Sequence, residues 1–222
     1  MRNLYHAFRT GSECDPYLAP AEMSCTSHGH GYGYAIFDSN SGLHHYRSKK
    51  AVFEDEARLP RLTGNIYAIL HSRLASDATL SGPIFSHPFV AATEKELVFF
   101  AHNGGVEPDG LPDRMVDSEW ALQEIVKAGS IEQALPLLKR KTKRDSALNL
   151  LIMVIARADG NTPVIHYVNF YDTDRPGKRE YYKMFSGDMP GGKAVFSSTF
   201  KDLPIPGLQN IAEAPFGELC RL

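Results

Sequence analysis

Cysteine is scarce in this chain. Cys14, Cys25 and Cys220 are the three among 222 residues. They form no CxxC, no metal-ligand spacing and no paired framework. Such usage excludes a disulfide-built scaffold and fits a reducing compartment, so the sequence reads as cytoplasmic. Long apolar runs are also missing. The longest, residues 148–156, falls far short of the roughly 20 residues that span a bilayer, so no membrane association is expected. No basic-then-apolar signal pattern opens the chain. Neither sign of charge dominates: the formal net charge is −2, which argues against a nucleic-acid or polyanion surface. The basic run KRKTKR at 139–144 reads as a solvated helix end. No repeat, low-complexity tract or long linker divides the sequence, so one domain over residues 1–222 is expected.

What is present suits a soluble fold with a full core. Hydrophobic residues make up 43% and charged ones 23%, ordinary values for a globular domain. Leu4, Tyr5, Ala7 and Phe8 give a helical stripe that Gly11 is expected to end, and Asp15-Pro16 marks a turn. Gly29, Gly31 and Gly33 alternate in a loop that runs into a strand at 34–37. Residues 38–42 form a hairpin turn and 43–46 the return strand. Residues 51–62 read as a helix or a loop crossing, and 65–71 as an apolar strand. A hairpin is expected from 89–92 and 97–101. Helices are expected at 117–128 and 131–138, with Asp117-Ser118 as N-cap of the first. Strands follow at 149–157, 164–170, 180–185 and 193–198, with turns at 159–161 and 190–192. Strands flanking a central helical pair indicate a mixed α/β or α+β domain.

Three segments deliver polar groups next to these apolar runs. They are His71-Ser72-Arg73-Leu74-Ala75-Ser76, Ser86-His87-Pro88-Phe89 and Ala101-His102-Asn103-Gly104-Gly105. Hydrolysing an amide needs a nucleophile, a base, donors for the oxyanion and groups that hold the substrate. A glutamine substrate adds a carboxylate, which suits a guanidinium fork, and an ammonium, which suits a carboxylate. Arg73 and Asp117 are of those types. The Asn103 side-chain amide can donate, and Gly104 can turn its backbone N–H outward without steric penalty. Taken singly each has a plainer reading: a surface arginine, an Asn-Gly turn, a His-Pro loop, a helix cap. Their order along the chain is what gives them functional weight.

That order, HSRLAS…SHPF…AHNGG…DSE, resembles the class II glutamine amidotransferase domain, and most of all its short stand-alone prokaryotic members. The resemblance covers roughly residues 14–200, and its middle third is the specific part. It implies an α+β fold of the N-terminal-nucleophile hydrolase type, a four-layer sandwich with two mostly antiparallel sheets. It implies that Arg73 holds the glutamine carboxylate, that Asn103 and Gly104 build the oxyanion hole, and that Asp117 receives the amino group. Ser76 matches the hydroxyl residue after the Arg, and His87 the His of the His-Pro segment. The implied ligand is glutamine or a γ-glutamyl compound, with no cofactor and no metal; any ammonia acceptor would be a separate enzyme.

Two departures stand out. The family's His-x-Asp-Gly-Trp-Gly loop reads His28-Gly29-His30-Gly31-Tyr32-Gly33 here, so a titratable base replaces a permanent anion at His30. The family also opens Met-Cys on a strand, and that cysteine is both nucleophile and, through its α-amine, base. This chain opens Met1-Arg2-Asn3-Leu4, so the nucleophile is absent from it. Cys14 and Cys25 lack a free α-amine and are not substitutes. The expected function is binding of glutamine or a γ-glutamyl compound, with hydrolysis of its side-chain amide if a Met-Cys strand precedes Met1; the alternatives are a binding or scaffold module that kept the pocket without the nucleophile, and a metal hydrolase using His28, His30, His44 and His45.

Overall fold

The computed structural model describes residues 1–15, 26–56, 59–77, 79–158 and 162–222. The expected turns at Asp15-Pro16 and 159–161 lie wholly or partly outside them, as does Cys25. The chain divides into two compact units, residues 1–88 with 185–212 and residues 89–184 with 213–222.

The first unit begins with α1 (Arg2–Glu13). The helix does not stop at Gly11, as its stripe had indicated. Gly11 is buried, and a Cβ there would stand 3.2 Å from Leu203 and 3.3 Å from Phe200. Its missing side chain serves close packing instead of termination. A three-stranded antiparallel sheet follows, with β1 (Tyr32–Asp38) between β2 (Gly42–Ser48) and β3 (Ile66–Ser72). Tyr34 stands opposite Tyr46 on one side and Leu70 on the other. β1 is buried on both faces because it is central, whereas β2 at the edge alternates in exposure. Phe8, Tyr32, Tyr34, Ile36 and Val52 form the core here. Each such aliphatic or phenyl side chain contributes about 1.5–3 kcal/mol by leaving water. Among the described residues of 51–62 there is a turn and no helix. A second three-stranded sheet holds β9 (Met184–Met189) between β10 (Gly192–Ser197) and β11 (Gln209–Glu213).

The second unit is built on a sheet whose strand order is β12-β7-β6-β5-β4. Its strands are β4 (Phe89–Ala92), β5 (Glu96–Gly104), β6 (Ser146–Ala156), β7 (Val164–Val168) and β12 (Leu219–Arg221). The short β8 (Tyr171–Asp172) pairs with the start of β6. β6 is near-continuously apolar because it lies centrally and is covered on both faces; Leu148, Leu150, Ile152 and Met153 are fully buried. The helical pair α2 (Asp117–Ala128) and α3 (Ile131–Arg140) contributes Leu122, Ile125, Leu135 and Leu138 to the core. Gly129, left-handed at φ 81°, ends α2, and the Ser130 hydroxyl caps α3 by accepting the Gln133 N–H. The N-cap of α2 is Val116, not Asp117; Asp117 is the first helical residue, where a carboxylate favours the helix dipole.

The sequence reading also fails at 180–185. Residues 180–182 close a helix, α4 (Pro176–Tyr182), and the strand begins only at Met184. Pro176 sits in the first turn, where proline is pre-organised for a helix start. The KRKTKR run is more committed than a solvated end: Lys139 donates to the Gly217 carbonyl, and Lys141 pairs with Asp109. The α+β class and the antiparallel sheets are as expected.

Candidate functional site

Each unit gathers part of the predicted constellation. In the first, the glycine loop, the end of β3 and the His-Pro segment converge on the start of β1. The Arg73 N–H donates to the Gly31 carbonyl at 2.8 Å, and the His30 N–H donates to the Arg73 carbonyl at 3.0 Å. Arg73 is thereby fixed one residue past the strand end. Its guanidinium Nη1 donates to the Leu80 carbonyl at 2.6 Å, tying the fork to the loop that follows. The His30 Nδ1 accepts the Ala75 N–H at 2.9 Å, and Ser76 stands exposed at the next position.

His87 comes to the same strand from the other side. A Cβ on Gly33 would lie 2.3 Å from the His87 carbonyl oxygen, and one on Gly31 would lie 2.5 Å from the Ser86 Oγ. Gly31 and Gly33 therefore serve as clearance for residues 86–87. The His87 ring is buried and sits 4.2 Å, centroid to centroid, from that of His71. His87-Pro88 is a cis peptide. Ser86 anchors the segment by donating to the Ser48 and Gly82 carbonyls, both at 3.0 Å.

In the second unit, β5 ends in Asn103-Gly104 and bends. Gly104 has φ +130°, and a Cβ there would stand 1.9 Å from the Ala147 carbonyl oxygen, so only glycine fits. The Gly105 N–H donates to that same carbonyl at 3.1 Å. The Val106 N–H donates to the Asp117 Oδ2 at 3.0 Å, and the Asp117 Oδ1 accepts the Ser118 N–H at 2.9 Å. The segment 102–106 is thus an arc pinned at both ends to the first turn of α2. Val106 reaches Asp117, and the His102 Nδ1 meets the Ser118 Oγ at 3.0 Å. The His102 Nε2 donates to the Ala147 carbonyl at 3.3 Å. Burial holds the pKa of His102 below the ordinary histidine value; Asp117 and the Ala147 carbonyl act in the opposite direction, and Lys143 adds to the lowering.

Sequence reasoning passed over His102 and Ser118, although each neighbours a residue it named. The signal was their place inside the motifs; what hid them is that a buried histidine bonded to a serine cannot be told from sequence spacing.

His28, His30, His44 and His45 each have a separate partner and do not gather into a metal-ligand set. His28 pairs with Asp15 at 3.0 Å, His30 holds Ala75, His44 meets the Ser41 hydroxyl, and His45 bonds the Pro88 carbonyl. No cluster of metal-ligating side chains occurs among the described residues. The cysteine reading needs correction: Cys14 is disulfide-bonded, so the chain does carry a paired cysteine, while Cys220 is a free thiol. Among the described residues no helix is long and apolar enough to cross a membrane.

No family model and no curated protein matches this sequence. The solved structure of the allosteric regulatory enzyme of purine biosynthesis matches over 99% of this chain, at 14% identity and a TM-score of 0.51. The chain spans 44% of that enzyme's length. The crystal structure of a predicted glutamine amidotransferase from Pseudomonas aeruginosa PA01 matches over 88% of this chain and 86% of its own, at 18% identity and a TM-score of 0.46. The first likeness concerns the fold alone: the chain shares its mixed α+β architecture with the matched part of that enzyme.

Proposed function

We propose that this protein binds L-glutamine or a γ-glutamyl compound in the manner of class II glutamine amidotransferases. The observation that carries the proposal is the pinned arc of residues 102–106. It holds Asn103 and Gly104, the candidate oxyanion donors, beside the Asp117 carboxylate, the candidate ammonium acceptor. Both Asp117 oxygens already accept a backbone N–H, and a carboxylate keeps further lone pairs for an ammonium. Arg73 takes the α-carboxylate, with Ser76 and His87 lining the binding residues of its unit.

Amide cleavage is a further step and needs a cysteine thiolate with a base beside it. Cys14 is committed to its disulfide, and Cys220, on β12, is the free thiol among the described residues. The proposal for residues 1–222 is therefore binding, with hydrolysis dependent on a nucleophile of the N-terminal kind.

Calorimetric titration with L-glutamine tests this. Arg73→Ala and Asp117→Asn should each abolish measurable binding, because truncating one partner of a desolvated charge pair costs on the order of 2–5 kcal/mol. Arg73→Ala gives up the hydrogen bond to Leu80 among its contacts, and the melt should stay cooperative. A double-mutant cycle on weaker variants, Arg73→Lys and Asp117→Glu, asks whether the two residues serve one ligand. Absence of glutamine binding in the wild type rejects the reading, and a collapse of the Arg73→Ala melt assigns that residue to structure.

A further inference from the structure

The His102 imidazole uses both nitrogens, one toward Ala147 in β6 and one toward Ser118 in the first turn of α2. The Ala147 carbonyl is an obligate acceptor, so the Nε2 facing it carries the proton. In the neutral ring, Nδ1 is then an acceptor, and the Ser118 hydroxyl supplies the hydrogen. The same Ala147 carbonyl takes the Gly105 N–H and excludes any side chain at Gly104. Ser118 in turn follows Asp117 in the first turn of α2. His102 itself is 3% exposed, so no water competes for these bonds. A leucine or phenylalanine would fill the volume as well and would do neither job. The cost of burying an imidazole is offset only if its two bonds are both made.

We propose that His102 is a positioning residue: as the neutral Nε2–H tautomer it fixes the distance between the Asn103-Gly104 turn and the Asp117 carboxylate by holding Ala147 with one nitrogen and Ser118 with the other. The inference rests on the functional reading above for what that distance is for. It adds that specificity for a glutamine-length ligand depends on a residue that never touches it. The charged groups that act on the ring are Asp117 from α2 and Lys143 from the turn before β6; Asp117 favours the imidazolium and Lys143 disfavours it, and burial outweighs both.

The first test uses the wild-type protein. Imidazole nitrogen shifts by NMR should show a protonated Nε2 and a bare Nδ1 for His102, with a proton on Nε2 that exchanges slowly. An Nδ1–H tautomer overturns the proposal, and this measurement needs no variant to fold. The second test separates the two bonds. In His102→Gln the side-chain NH2 falls near the old Nε2 and keeps the Ala147 bond; in His102→Asn the side-chain oxygen falls near the old Nδ1 and keeps the Ser118 bond. Gly105 amide protection should survive in His102→Gln and drop at least tenfold in His102→Asn, while Ser118 contacts follow the opposite order. L-glutamine affinity should weaken at least tenfold in His102→Leu and in Ser118→Ala, with the melt still cooperative. Unchanged Gly105 protection in a folded His102→Leu overturns the inference even if glutamine binds. Altered protection in a protein that never binds glutamine upholds the positioning role and rejects the functional reading instead.

Discussion

The Nδ1 of His30 accepts the backbone N–H of Ala75 at 2.9 Å, and this side-chain bond adds to the Gly31–Arg73 and His30–Arg73 backbone bonds that tie the glycine loop to the segment carrying Arg73 and Ser76. It accounts for the substitution that set this chain apart in the sequence. Where the loop that the sequence resembles carries an aspartate, histidine here supplies the acceptor for the Ala75 N–H.

Replacing the ring should therefore act on the Arg73 loop more than on the core. His30→Asp should keep the Ala75 amide protected, because a carboxylate oxygen accepts the same hydrogen. His30→Ala should expose that amide to exchange and cost about 0.5–1.5 kcal/mol, the net value of one hydrogen bond. Hydrogen exchange at Ala75 with parallel denaturant titration checks both. Equal protection in the alanine variant would show that the loop is held by other means.

Gly104 tests whether the 102–106 arc is set by sterics or by backbone conformation alone. Its φ is +130°, and the Ala147 carbonyl lies where a Cβ would be. Gly42, at φ +84°, has open space around it. Gly42→Ala should cost only the left-handed strain, about 1–2 kcal/mol. Gly104→Ala adds a clash with backbone that cannot rotate away, and should cost more than about 3 kcal/mol or move β5 off β6. Urea midpoints for the two variants give the comparison; similar losses would mean that the 102–106 arc is free to shift.

Much of this architecture is legible in the residues. Apolar runs located eleven-residue β6 and the core of β5, and the Asn-Ser-Gly turn placed the β1–β2 hairpin. The errors came where a residue type has two uses. Gly11 reads as a stop and serves as packing clearance. Asp117 reads as a cap and sits one position inside the helix, with its side chain committed to Val106 and Ser118. Cys14 reads as solitary because disulfide pairing depends on distance in space, not on spacing in sequence. The candidate site residues were nameable from their order, while the bonds that hold them, through His102, Ser118 and His30, depend on partners distant in sequence.

Stability should fall as the solution is acidified from pH 7 towards 5, and histidines should be the cause. His102, His45 and His166 all have pKa values held below 6.5, in each case chiefly by burial. For His45 the Pro88 carbonyl opposes the shift and Arg47 reinforces it; for His166 Glu132 opposes it most and Arg221 reinforces it. Above 6.5 both folded and unfolded chains keep these rings neutral, and pH has no leverage through them. Below 6.5 the unfolded chain takes up protons that the folded one refuses, so stability is lost with falling pH until each folded-state value is passed. Each histidine protonated only in the unfolded chain adds a slope of up to about 1.4 kcal/mol per pH unit. Carboxylates with lowered values, Asp38 and Asp145 among them, act in a more acidic range, below 3.8, and so leave this window to the histidines. His102→Gln removes one titrating group: its melt should be lower than wild type at pH 7 and should decline less steeply on the way to pH 5. Thermal melts at half-unit intervals measure the two slopes, and parallel curves would show that His102 is protonated as readily in the folded protein as in the unfolded chain.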